Sequence, residues 1–147
     1  MSNRIVIIGA GSTNFGLGIV GDFFKSKILS GSTLVLHDIN SETLKNTHNI
    51  ALSFKEKLGV DFNIVSTTSR TEALQNADFC LISIEVGSRF DLWEQDWKVP
   101  LQYGIKQVYG ENGGPGGLFH AMRQIPAIIK ICCLLYTSPS PRDSFRS

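Results

Sequence analysis

The stretch Arg4–Gly11, "RIVIIGAG", limits the fold of this chain more than any other. An uninterrupted apolar, β-branched run ends in glycines. It reads as a strand buried on both faces, the condition of an inner strand in a parallel sheet. Parallel strands cannot be closed by a hairpin; each pair needs a crossover, usually a helix. The sequence supplies these crossovers. Before the second apolar run, "TLVLHDI", the segment Asn14–Lys27 carries Phe15, Ile19, Phe23 and Phe24 at helical spacing. Asn40 or Ser41 can cap a helix through Leu58, with Leu44, His48, Ala51, Phe54 and Leu58 on one face. "DFNIVSTT" is a third strand. Ser69-Arg70-Thr71-Glu72 matches a capping box opening a short turn through Leu74, and "ADFCLISIEVG" is a fourth strand. The alternation predicts an α/β fold with a right-handed parallel sheet ordered 3-2-1-4.

A strand, then Gly9-Ala10-Gly11, then a helix is the phosphate-cradling arrangement of a Rossmann-like fold. Glycines let the backbone approach a pyrophosphate, and the helix N-terminus offers free N–H groups and partial positive charge. Candidate cofactor contacts are therefore Gly9, Gly11, Ser12, Thr13, Asn14, Asp38 and Asn40. The strict G-x-G-x-x-G is not met, because Asn14 holds the third glycine position and Gly16 follows two residues later. Asp38 closes the second strand. A carboxylate there accepts hydrogen bonds from the ribose hydroxyls and repels a 2′-phosphate, which predicts NAD rather than NADP. The alternative is a plain helix start beside an incidental aspartate.

The 147 residues are 42% hydrophobic and 18% charged, a globular composition, and the net charge is +1 with acids and bases interspersed. That balance gives no electrostatic case for nucleic acid or a membrane surface as partner. No apolar run approaches the roughly 20 residues of a membrane span, and the N-terminus enters a strand without a signal-peptide pattern, so a cytoplasmic location is expected. Cys80, Cys132 and Cys133 are an odd count with no framework spacing; adjacent Cys132-Cys133 could form a metal pair, but ordinary buried or incidental cysteines are expected. His37, His48 and His120 show no ligand spacing either; His48 falls on an apolar helix face and is expected in the core.

After Gly87 come "SRFDLWEQDWKVPLQYG", amphipathic with two tryptophans, and then "GENGGPGGLFHAM", a second glycine turn ahead of a helix expected through about Ile131. With "GAGST", "HDIN", "WEQDWKVPLQYGIKQ" and "GENGGPGGLFHAMRQIPAIIKIC", residues 3–132 resemble the N-terminal part of glycoside hydrolase family 4. The resemblance implies a lactate/malate-dehydrogenase-like fold whose sheet has an incomplete second half in this chain. It also implies an NAD- and divalent-metal-dependent glycosidase, with manganese as the expected metal. These enzymes do not use paired carboxylates. NAD oxidises the sugar 3-hydroxyl, a tyrosine base removes the acidified C2 proton beside a metal ion, the aglycone leaves, water adds, and the ketone is reduced again. The resemblance puts Glu111 near that tyrosine, where a neighbouring anion makes the phenolate a stronger base. Phospho-sugar members carry an arginine seven residues before the proline that is Pro100 here; this chain has Trp93, which favours an unphosphorylated sugar stacked on an aromatic ring. Arg89 and Arg123 could hold an anionic substrate group, but surface or helix-cap pairs are expected for either alone. The implied substrate is a small α-galactoside, α-glucoside or α-galacturonide, and the implied full-length parent is a homo-oligomer.

The final residues, "YTSPSPRDSFRS", change composition abruptly. Within them "CLLYTSPSPRDS" resembles translated adapter read-through, so residues 1–132 are expected to be a truncated NAD-binding domain and 133–147 a non-native or disordered tail. The tyrosine base and the metal ligands are expected outside this segment, which alone is expected to be inactive. Two rivals remain. A malate- or lactate-type dehydrogenase would want a catalytic-loop arginine set that nothing here resembles, and a non-catalytic nucleotide-binding Rossmann module would want nothing more.

Overall fold

Strand β1 (Arg4–Ile8) lies inside a four-stranded sheet ordered β3-β2-β1-β4, with β2 (Thr33–His37), β3 (Asn63–Thr67) and β4 (Phe79–Ile82) all parallel to their neighbours. This is the order the sequence predicts. The computed structural model describes residues 2–12, 16–108 and 113–137. They fall into two compact units, one of residues 1–83 with the chain from Cys133, the other of residues 84–132.

In the first unit, helix α1 (Gly16–Lys25) buries Gly16, Val20 and Phe24, one stripe at helical spacing. Helix α2 (Ser41–Leu58) packs beside α1 and on β2 and β3, while α3 (Arg70–Leu74) packs on β2 and β3 with Ala73 and Leu74 fully buried. The Phe24 and Phe62 rings meet at 5.3 Å in a tilted pair within the main core cluster. Each fully buried side chain of that size contributes about 1.5–3 kcal/mol.

Helix α2 departs from the expected face. Leu44, Thr47 and Ala51 are buried, whereas Phe54 is 41% and Leu58 63% exposed, and His48 is half-buried with Nε2 3.4 Å from the Ile64 carbonyl. Length explains it. The 18 residues of α2 span about 27 Å, against about 17 Å for a five-residue strand, so its last turns overrun the sheet. Asn40 is the cap, its side chain accepting from the Glu42 and Thr43 N–H groups. Gly59, at φ 61°, ends the helix in a Schellman turn. Ser69 caps α3 as the pattern predicts, but Glu72 does not close the box: it accepts from the Thr67 hydroxyl at 2.6 Å, and Thr67 Oγ1 accepts from the Ser69 N–H.

Strand β4 stops at Ile82, short of the expected Val86. Its partner β1 ends at Ile8, paired with Ile82, and turns away at Gly9, so nothing remains for β4 to pair with on that side.

The second unit holds α4 (Arg89–Gln102) and most of α5 (Gly114–Thr137). Helix α5 begins earlier and ends later than expected, and Tyr136 and Thr137 are helical. The apolar "ICCLL" continues its pattern, and no proline intervenes between Pro126 and Pro139. Against the expectation of no membrane-length segment, α5 is long and apolar enough by length and composition to cross a bilayer. It differs from a lipid-facing span in carrying polar residues that have partners: Arg123 and Gln124 are both engaged.

Candidate nucleotide turn and second glycine turn

The first glycine turn grows from the register of β1 and β2. Ile8 pairs with His37, so the chain leaving β1 meets the His37 carbonyl, which accepts from both the Gly9 N–H (2.9 Å) and the Ala10 N–H (3.0 Å). Gly9 turns at φ 89°, a conformation that costs only glycine nothing. Gly11 donates to Asp38 Oδ2 at 2.8 Å, and Asp38 Oδ1 accepts from the Asn40 N–H at 2.9 Å. One carboxylate thus ties the glycine turn to the start of α2. A carboxylate has about four lone-pair sites, which leaves acceptor capacity for further donors. A Cβ on Gly11 would lie 2.8 Å from Asp38 Oδ2 and 2.4 Å from Thr43 Oγ1, so the space is already used.

Gly16 does the work of the third glycine despite its shifted position. Its own N–H donates to the Ser12 carbonyl at 2.8 Å, and a Cβ there would sit 2.1 Å from the Ala10 carbonyl oxygen. Close packing of helix on turn is the usual reason for a glycine at that point. The structure thus brings Gly9, Gly11, Ser12, Asp38 and Asn40 together; Thr13 and Asn14 lie outside the described residues. Sequence reading missed the His37 carbonyl, a backbone contact that no residue type signals, and the spacing rule hid Gly16.

In the second unit, the segment entering the second glycine turn is braced by a proline. Pro100 has no N–H, which frees the Asp96 carbonyl one turn earlier. Gln107 Nε2 donates to that carbonyl at 2.8 Å, and Trp97 Nε1 donates to the Gln107 carbonyl at 3.1 Å. A Cβ on Gly114 would lie 2.7 Å from Gln107 Oε1. Asp96, 6% exposed, receives both terminal nitrogens of Arg123, at 3.1 Å to Oδ1 and closely to Oδ2. The hydrogen bond to Asp96 raises the Arg123 pKa, against the opposing pull of burial. Arg123 is thereby committed to a structural pair, with a buried carboxylate of α4 rather than at the surface or a helix cap as expected, and Glu111 lies outside the described residues.

Trp93 is half-buried, with Phe90 edge-on at 6.3 Å and the Arg89 guanidinium 4.1 Å above its ring. Arg89 occupies one face, so stacking on a sugar would use the other. Further along, Gln124 donates to Glu85 Oε1, and His120 Nδ1 stands 3.8 Å from the same oxygen. Cys132 and Cys133 are free thiols, and no group of three metal-ligating side chains exists among the described residues.

Residues 4–140 match the model of the family 4 glycosyl hydrolases. The chain belongs to glycoside hydrolase family 4. Within this family it is 54% identical over 132 residues to an alpha-glucosidase of Erwinia rhapontici, covering 90% of this chain and 29% of the relative. It is 31% identical over 128 residues to an alpha-galactosidase of Bacillus subtilis, covering 87% of this chain and 30% of the relative. The chain thus spans under a third of the length of these curated family 4 relatives. In fold it matches a 6-phospho-alpha-glucosidase from gut microorganisms, crystallised with NAD and glucose-6-phosphate, at TM-score 0.80 and 24% identity over 97% of this chain and 31% of that one. The Rossmann-like sheet is therefore the family's.

Proposed function

We propose that this chain is the NAD-binding part of a glycosidase that hydrolyses an unphosphorylated α-glycoside by oxidation, elimination, addition and reduction. The observation that carries it is the Asp38 carboxylate joining the Gly9–Gly16 turn to the start of α2. The family membership supports glycosidase over dehydrogenase chemistry, and a bare nucleotide-binding module has no use for the braced second glycine turn.

The turn fits a dinucleotide. Gly11 packs on Asp38 and Thr43 too closely for any side chain, which holds the turn against the carboxylate, and that carboxylate keeps acceptor capacity for ribose hydroxyls. When bound, NAD would supply the reversible oxidation at the sugar's 3-position. This chain's own residues bind and orient. Gly9 and Gly11 shape the turn, with Ser12 and Asn40 beside it, and Asp38 selects the unphosphorylated ribose. Glu111 would hold a negative charge close to the base, and Trp93 would offer its face opposite Arg89 to the sugar. Manganese, present in a family structure of a 6-phospho-alpha-glucosidase, has no three-ligand group among the described residues, so no step is assigned to it here.

An NAD-dependent reaction places the protein where the NAD pool is, in the cytoplasm. The tests are two. Calorimetry on the 147-residue chain should show NAD binding that Asp38→Ala weakens about 5- to 150-fold, the range for a lost charged hydrogen bond; unchanged affinity removes the ribose role. In a full-length enzyme bearing this segment, Glu111→Gln should lower kcat by about 100-fold or more with NAD affinity kept, as for a group supporting general-base catalysis. Wild-type kcat would return Glu111 to an ordinary turn residue.

A further inference from the structure

The cluster Glu85, His120 and Gln124 has no part in the nucleotide turn or in the brace around Asp96. His120 and Gln124 lie one turn apart on α5, and Glu85 follows β4 by three residues. Gln124 is 8% exposed; its Nε2 is spent on Glu85, while its Oε1 is buried with no partner among the described residues. His120 Nδ1 is likewise buried and without a hydrogen bond among them, since 3.8 Å to Glu85 Oε1 is too long. A buried amide oxygen left unpaired costs about 1–3 kcal/mol, so such atoms in a folded protein call for an explanation.

Chemistry narrows the explanation. The open groups are an amide acceptor, a carboxylate with lone pairs to spare and a ring nitrogen that donates or accepts with its tautomer. A metal ion would want a third histidine, cysteine or carboxylate, and the described residues have none. A phosphate offers only acceptors and negative charge, and Glu85 opposes both; the neighbouring cation, Arg123, is held by Asp96. Hydroxyl groups suit every member, since each donates and accepts.

We propose that Glu85, His120 and Gln124 form a subsite for adjacent hydroxyls of a neutral sugar, and that the Glu85 carboxylate turns a phosphorylated sugar away. This rests on the glycosidase reading above and adds to it the residues that tell the two sugar classes apart. The test is an NMR titration of the 147-residue chain with methyl α-D-glucopyranoside, with glucose 6-phosphate and, separately, with NAD. The neutral glycoside should shift the His120 ring and Gln124 amide signals, and Gln124→Met should weaken it about tenfold, the worth of one hydrogen bond. Glucose 6-phosphate should leave the wild type unmoved and bind about tenfold better to Glu85→Gln, whose amide keeps the shape and removes the charge. Should the neutral sugar leave His120 and Gln124 untouched, or glucose 6-phosphate bind the wild type equally well, the subsite is overturned. NAD shifts at Gly9 and Gly11 in that same sample would show that the nucleotide reading survives it.

Discussion

Two glycines of α1 separate conformational from steric need. At Gly16 a Cβ would stand 2.1 Å from a backbone oxygen that cannot swing aside, whereas at Gly18 nothing lies within 4 Å. Gly16→Ala should therefore destabilise the chain by about 1–3 kcal/mol through forced backbone displacement. Gly18→Ala should stabilise it by about 0.5–1 kcal/mol through helix propensity. Urea unfolding of both variants checks the pair; equal effects would mean that the Ala10 contact has no energetic weight. The same contrast shows what sequence can reveal at this scale. Gly9, Gly11 and Asp38 were legible because their chemistry depends on residue type. Gly16 was obscured because its role depends on where the turn places it, and Glu85 and Gln124 gave no signal, since nothing in their spacing marks two distant polar residues as partners.

At the scale of elements, strand order and most helix starts were legible because apolar periodicity and capping residues are local. Helix faces and ends were not. Phe54 and Leu58 follow the pattern of a buried face, and only the shortness of the strands beneath leaves them exposed. Helix α4 shows the same dependence on context, because the proline that should weaken it is offset by Gln107, a residue outside the helix. The pairing of α4 with α5 gives a direct test. Arg123→Met would leave the Asp96 carboxylate buried and unpaired, at a cost of about 3–5 kcal/mol, and adding Asp96→Leu should recover most of it. A raised arginine pKa stabilises the fold below the guanidinium's unfolded value and is lost only as pH climbs through the folded one. The Arg123→Met deficit should thus be the same at roughly pH 7 and pH 9; a deficit that vanished at the higher pH would mean that another group carries the pair.

At the scale of the molecule, Leu118, Met122, Ile125 and Ile129 form an apolar line along α5, each more than half exposed. Its spacing is that of one helical face. Exposed apolar stripes promote association, so the 147-residue chain should sediment as more than a monomer at micromolar concentration. The double variant Met122→Lys, Ile125→Glu should restore the monomer; a wild-type chain that stays monomeric would show the stripe to be tolerated in water. The first glycine turn has a different consequence. Its acceptor is a carbonyl, so the turn itself does not read the side chain of residue 37; that side chain is buried and held separately, with Nδ1 3.0 Å from the Thr67 carbonyl. What the turn cannot absorb is a change in count. Inserting or deleting a single residue in β2 would slide a different carbonyl opposite Gly9 and exchange the side chains between the two buried faces of the strand. Changes of length are therefore expected only in the loops on either side of the strand.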